Sequence, residues 1–302
     1  MLRRPAPLAA ALTLLVAAAA LTGCATTPDA VDDGTIRIVA STNVYGDIAR
    51  TIAGDDAEIT SLIHDSAQDP HEFEATPRDA LAVSQADIVI VNGGGYDDFM
   101  GSLLEQASSP VVLDAVELSG LDTEPADGEF NEHVWYHFDT VAAVADAIAD
   151  AVAELEPAEA DAAEARAAQF RTGLDALAAR AADIAADHGG AGVAVTEPVP
   201  LYLLEAAGLE NRTPSEFSEA VEEGTDAPAL VLEAMIALVG DGSVALLAYN
   251  EQTVGPQTEQ VLAAAQDAGT PVVSFTELLP DGEDYLSWMG ANLDAVEAAL
   301  AG

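Results

Sequence analysis

Five histidines and one cysteine are the side chains whose chemistry is easiest to sort in these 302 residues. The histidines stand at 64, 71, 133, 137 and 188, and the cysteine is Cys24. A lone cysteine offers no internal disulfide, so any metal site in the body of the chain must draw on His, Asp and Glu. His71 lies in Asp69-Pro70-His71-Glu72-Phe73-Glu74, just past a strand-like run, where open α/β sheets place their ligand sites. By itself, a histidine in a loop is more commonly an ordinary surface residue. His133 sits in Asn131-Glu132-His133-Val134-Trp135-Tyr136-His137, whose aromatics could pack in a core while the imidazole faces a cleft. Val134 to Tyr136 reads as extended, which places His137 outside a helical chelating pair and leaves it supporting a neighbour or on the surface. His64, beside Asp65, reads as a surface residue, and His188 closes a long helix, where the dipole favours a cation.

The elements that must position these residues alternate. Ile36–Ala40, Ala57–Ile63, Ile88–Val91 and Val111–Leu113 are β-branched runs, separated by helix-like stretches Val44–Ala53, Pro77–Gln85 and Tyr96–Gln106. A helical stripe over Thr140–Ala153 follows. From Pro157 to His188 an Ala-rich charged run closed by Gly189-Gly190 predicts one helix of about 30 residues, about 45 Å long. Its apolar positions hold no clean heptad, so a bridge between two lobes is expected rather than a coiled coil. Alternation then resumes with strands at Gly192–Val195, Val244–Leu247 and Val272–Ser274, and helices near Pro200–Ala207, Ala229–Val239, Pro256–Ala268 and from Asp284. The expected fold is α/β: two (β/α) lobes joined by one long linking helix. The boundaries read 35–156 for the first lobe, 157–189 for the helix and 190–302 for the second lobe.

The first residues resemble an export signal of lipoprotein type: Arg3-Arg4, an apolar run to Leu21, then Leu21-Thr22-Gly23-Cys24. Residues 1–23 are expected to be removed, leaving Cys24 acylated, with 24–34 as a flexible acidic tether. Nine basic residues, all arginine, face 53 acidic ones, a formal charge of −44 that excludes nucleic acid as a partner. Such acidity fits a GC-rich genome or a saline habitat, and it also attracts divalent cations.

Four segments together resemble the solute-binding proteins (cluster A-I type) of manganese, zinc and iron ABC importers. They are Asp69-Pro70-His71-Glu72-Phe73-Glu74 with Thr76-Pro77-Arg78-Asp79; His133-Val134-Trp135; Thr196-Glu197 with Tyr202-Leu203; and Tyr285 through Asn292-Leu293. The resemblance covers nearly all of 36–300. It implies a metal site in the cleft between the lobes, with His71 and His133 from the first lobe and Glu197 and Glu277 from the second as ligands. Two imidazoles and two carboxylates suit a borderline divalent ion and neutralise its charge. Glu277 departs from the aspartate more common in that family, which leaves Asp281, Glu283 and Asp284 as alternatives for the fourth ligand. The family's zinc carriers often have a histidine-rich loop ahead of the second ligand, whereas 121–132 is acidic without histidine, which tilts the expected cargo from zinc (Zn2+) toward manganese (Mn2+). The resemblance further implies delivery to ABC importer permease subunits, membrane attachment through lipid alone, a monomer, no organic cofactor and no catalysis. The competing functions are a surface adhesin of the same fold and a zinc hydrolase, although no His-Glu-x-x-His motif is present.

Overall fold

The computed structural model describes residues 35–65, 70–126 and 129–302. The proposed signal segment, Cys24, the tether and Asp69 lie outside them. The first lobe runs β1 (Ile36–Thr42), α1 (Asn43–Ala53), β2 (Ala57–Ile63), a 3-10 turn at Pro70–Glu72, α2 (Pro77–Ser84), β3 (Ile88–Val91), α3 (Phe99–Leu104), β4 (Val111–Asp114) and α4 (Ala115–Ser119). A second 3-10 turn, Val134–Tyr136, leads into α5 (Phe138–Leu155) and the long α6 (Ala160–His188). The second lobe comprises β5 (Gly192–Val195), α7 (Leu201–Ala206), β6 (Glu210–Asn211), α8 (Ser215–Glu222), α9 (Ala229–Gly240), β7 (Leu246–Asn250), α10 (Pro256–Ala268), β8 (Val272–Phe275) and α11 (Tyr285–Leu300).

Each lobe holds one four-stranded parallel sheet, ordered β2-β1-β3-β4 and β6-β5-β7-β8. Central strands β3, β5 and β7 are buried at every residue, as expected of strands covered on both faces. In both sheets the order reverses beside the first strand of the lobe, β1 or β5, and crevices at such switch points open at strand carboxyl ends.

α6 spans 29 residues, about 43 Å at 1.5 Å per residue. Ala163, Ala167, Phe170, Leu174, Leu177, Ala181 and Ile184 recur at three- and four-residue spacing and form its buried face. That face packs on α1 and α5 of the first lobe and on α7 and α11 of the second. One continuous core therefore includes Ile38 and Ile90 from one sheet and Val193 and Leu246 from the other. Paired polar groups add to the join. The Asn43 side chain donates to the Leu279 carbonyl (2.8 Å) and accepts from the Leu279 N–H (3.0 Å), and the Tyr285 hydroxyl donates to the Trp135 carbonyl at 2.7 Å.

Three local expectations differ from the structure. Val134–Tyr136 is a 3-10 turn rather than extended, because Trp135 and Tyr136, each 1% exposed, turn inward together. β7 begins two residues later than expected and continues through Tyr249 and Asn250, polar groups that disguise a fully buried strand. α3 starts only at Phe99, because Gly93, Gly94 and Gly95 take left-handed φ values of 77°, 67° and 103° and reverse the chain first.

Candidate metal centre

The carboxyl ends of the strands deliver the polar side chains. His71 follows β2 through the 3-10 turn Pro70–Glu72, and α2 behind it is fixed by Pro77 at its first position and by reciprocal Thr76–Asp79 capping bonds. After β3, the Asp97 carboxylate accepts from the N–H groups of Asn92 (2.6 Å) and Gly93 (2.9 Å), closing the glycine turn that presents Tyr96. Glu197 lies two residues beyond β5, Asn250 ends β7, and Glu277 lies two residues beyond β8.

His133 is fully buried. Its Nδ1 lies 2.7 Å from the Asn131 side-chain oxygen, and the Asn131 amide nitrogen is spent on the Pro198 carbonyl at 3.1 Å. That amide orientation makes Nδ1 the protonated nitrogen and turns Nε2 inward as a lone pair, without a hydrogen-bond partner among the described residues. Burial, opposed by the charges of Glu132 and Glu277, lowers the His133 pKa and keeps the ring neutral.

Two carboxylates face the imidazoles. Glu277 Oε2 lies 3.5 Å from His71 Nε2 and 4.0 Å from His133 Nε2. Glu222 Oε1 lies 3.7 and 3.4 Å from the same two nitrogens. An ion about 2.1 Å from each of four tetrahedral donors would hold them about 3.4 Å apart, so these separations approach those of ligands around one ion. His71, His133 and Glu222 offer atoms all within 4.8 Å of one another.

Glu277 is 1% exposed and held from three sides. The Tyr96 hydroxyl donates to Oε2 at 3.1 Å, the Asn250 amide to Oε1 at 2.8 Å, and its backbone N–H donates to the Gln252 side-chain oxygen at 2.5 Å. Desolvation pushes its pKa up, but the facing His71 and His133 imidazoles and the Asn250 amide outweigh it and hold the carboxyl below its usual range. Glu197 stands to one side: its Oε2 accepts from Asn250 and Thr253, and Oε1 is buried without a partner. Burial first, and the charge of Glu277 second, push Glu197 up to about 7. Glu222 is pushed far above the ordinary carboxyl value by burial and then by Glu132, Glu197 and Glu277.

The expected residues thus divide. His71, His133 and Glu277 meet directly, and Glu197 joins them through Asn250, whose amide nitrogen serves both acids. Asp281, Glu283 and Asp284 are exposed, and Asp284 caps α11 by accepting from the Ser287 N–H at 2.9 Å. His137 stands apart, its Nδ1 2.8 Å from the Thr140 hydroxyl and its ring beside Tyr202. His64 Nδ1 lies 3.1 Å from the Leu62 carbonyl. Sequence reasoning missed Glu222, one of several acids in Ser-Glu-Phe-Ser-Glu-Ala-Val-Glu; Phe217, Ala220 and Val221 were the faint sign that this stretch is a helix with an inward face. It also missed Tyr96 and Asn250. A cavity of about 730 Å³, lined by His71, Glu222, Thr225, Thr253 and Gln257 among others, leads from outside to the donors.

Known proteins share this architecture. The zinc-binding periplasmic protein TroA of Treponema pallidum superposes with a TM-score of 0.74 at 21% identity, covering 88% of this chain and 99% of that one. The solute-binding protein FpvC of Pseudomonas aeruginosa, in complex with Mn2+, gives 0.72 at 23%, covering 88% and 98%. In sequence, the manganese ABC transporter substrate-binding lipoprotein PsaA of Streptococcus pneumoniae is 24% identical over 96% of this chain and 97% of its own. The manganese-binding lipoprotein MntA of Halalkalibacterium halodurans is 32% identical over 150 residues, 48% of each chain. Residues 38–299 match the family described as ZnuA, zinc-uptake complex component A, periplasmic, and the chain belongs to that family.

Proposed function

We propose that the protein is an extracytoplasmic solute-binding protein that captures one divalent transition ion, manganese ahead of zinc, and hands it to the permease of an ABC importer. The observation that carries this reading is the convergence of two imidazole nitrogens and the buried Glu277 carboxylate at 3.5 to 4.0 Å. Glu197 completes the four-residue set through its unpartnered Oε1. Asn250 and Tyr96 orient the acids, as groups behind metal ligands commonly do. Neutral imidazole and carboxylate suit manganese and zinc alike, and the usual affinity order favours zinc, so manganese must be selected by geometry and supply. Donors that surround the ion leave no open position for an activated water, which separates a carrier from a metallohydrolase.

The arrangement of the chain agrees with that role. Cys24 would carry the lipid, 24–34 would tether the two-lobed body, and no helix among the described residues is long and apolar enough to cross a membrane. The test is calorimetric titration with Mn2+ and with Zn2+. One ion per chain is expected, with affinity falling at least about a hundredfold in His71→Ala and His133→Ala, roughly the loss of two tenfold steps in binding constant. Unchanged affinity in both variants would remove the site.

A further inference from the structure

We propose that Glu222, at the end of α8, is a fifth metal ligand, so that the cargo is held by two imidazoles and three carboxylates; this rests on the carrier reading above. Glu222 approaches the imidazoles as closely as Glu277 does, at 3.4 and 3.7 Å. Its side chain is 14% exposed, yet both carboxylate oxygens are sealed from solvent, and among the described residues the one side chain interacting closely with them besides the two imidazoles is another acid, Glu132; burial, and after it Glu132, shifts the Glu222 pKa upward. Opposite them stands His133 Nε2, fully buried and without a hydrogen-bond partner among the described residues, because the ring's only proton is committed to Asn131. An imidazole lone pair and a carboxylate oxygen facing each other at 3.4 Å away from water need a proton or a cation between them. A cation between them satisfies both.

The position of Glu222 also gives it a role in entry. It lines the cavity that opens to the outside and belongs to the donor cluster at its inner end. Glu222 and His71 are therefore where the cavity and the ligand set join. Glu222 is supplied by α8 of the second lobe, separately from the strand ends that deliver Glu197 and Glu277.

A fifth donor changes which ion the site prefers. Zinc is satisfied by four tetrahedral ligands, whereas manganese favours carboxylate oxygen and higher coordination. A third carboxylate adds more to manganese binding than to zinc binding, offsetting part of zinc's inherent advantage.

The test compares wild type, Glu222→Gln and His133→Ala by calorimetry with each metal, folding being checked by circular dichroism. Glu222→Gln should lose at least about tenfold in manganese affinity and clearly less in zinc affinity, the size expected when a group that shapes a metal site is removed. X-ray absorption of manganese-loaded wild type should show five or six nitrogen and oxygen ligands, a readout independent of how the variant folds. Full manganese affinity in Glu222→Gln, or a four-coordinate ion in wild type, would overturn the assignment. If His133→Ala abolishes binding while Glu222→Gln leaves it intact, the carrier reading stands and Glu222 alone is removed. Wild type that binds neither ion would remove both.

Discussion

At the scale of single residues, acids and imidazoles are ordinary until neighbours shift their chemistry. Glu197, raised from 4.5 to about 7, holds a proton at mildly acid pH, and in the proposed site binding of the ion displaces that proton. Metal affinity should therefore rise steeply from pH 5 to 8, and calorimetry in buffers of different ionisation heat should report proton release at pH 6. The same shift acts on folding with the opposite sign. A carboxyl whose folded pKa is raised contributes stability that is present below the unfolded value of 4.5 and lost as pH climbs through about 7. The metal-free protein should melt at lower temperature at pH 8 than at pH 5, and the rise in Tm on adding metal should grow over that window. Equal metal-induced increments at both pH values would contradict this. Asn250→Ala frees both Glu197 and Glu277, and a tenfold to hundredfold loss of metal affinity is expected, read by the same titration. Glu277→Gln should weaken binding while His137→Ala should not, since the His137 ring lies against Thr140 and Tyr202.

At the scale of elements, β3 was legible as an unbroken apolar run and β2 as a stretch with alternating apolar residues, and both coincide with the stretches read from the sequence. α10 was read from Pro256 to Ala268, and the structure gives the same bounds, with Pro256 in its first turn and Gly269 closing it in left-handed conformation. His71, His133 and Glu197 could be named because they sit in recognisable segments, and Glu277 by its place after a strand despite departing from the usual aspartate, but their mutual distances come from the packing of two sheets that no local pattern encodes. Glu222 was hidden for a different reason: α8 carries Glu216, Glu219 and Glu222, and three identical residue types give no sign of which one turns inward. The glycine turn after β3 hid Tyr96 similarly, since left-handed φ is a property of the folded backbone. α6 packs on helices of both lobes. Phe170, 3% exposed, packs its ring 5.9 Å from that of Tyr285, and Phe170→Ala should cost about 3 to 5 kcal/mol in denaturant unfolding. Tyr285→Phe, which strands only the Trp135 carbonyl, should cost about 1 kcal/mol.

At the scale of the whole molecule, one core runs through α6 and both sheets, so a wide hinge motion would have to break buried apolar packing. A charge of −44 raises the local concentration of cations and steers them, and salt screens that attraction over about 8 Å at physiological ionic strength. The association rate for Mn2+ in stopped flow should accordingly fall as ionic strength rises, while the zinc-to-manganese preference, set by the donors, should stay constant. The measurement that bears most directly on metal capture is elemental analysis of wild type and of His71→Ala/His133→Ala after equilibration with manganese and zinc and removal of unbound ion. One metal ion per wild-type chain and none in the double variant is the expected result; a wild type without metal, or a double variant that keeps a full equivalent, would contradict it.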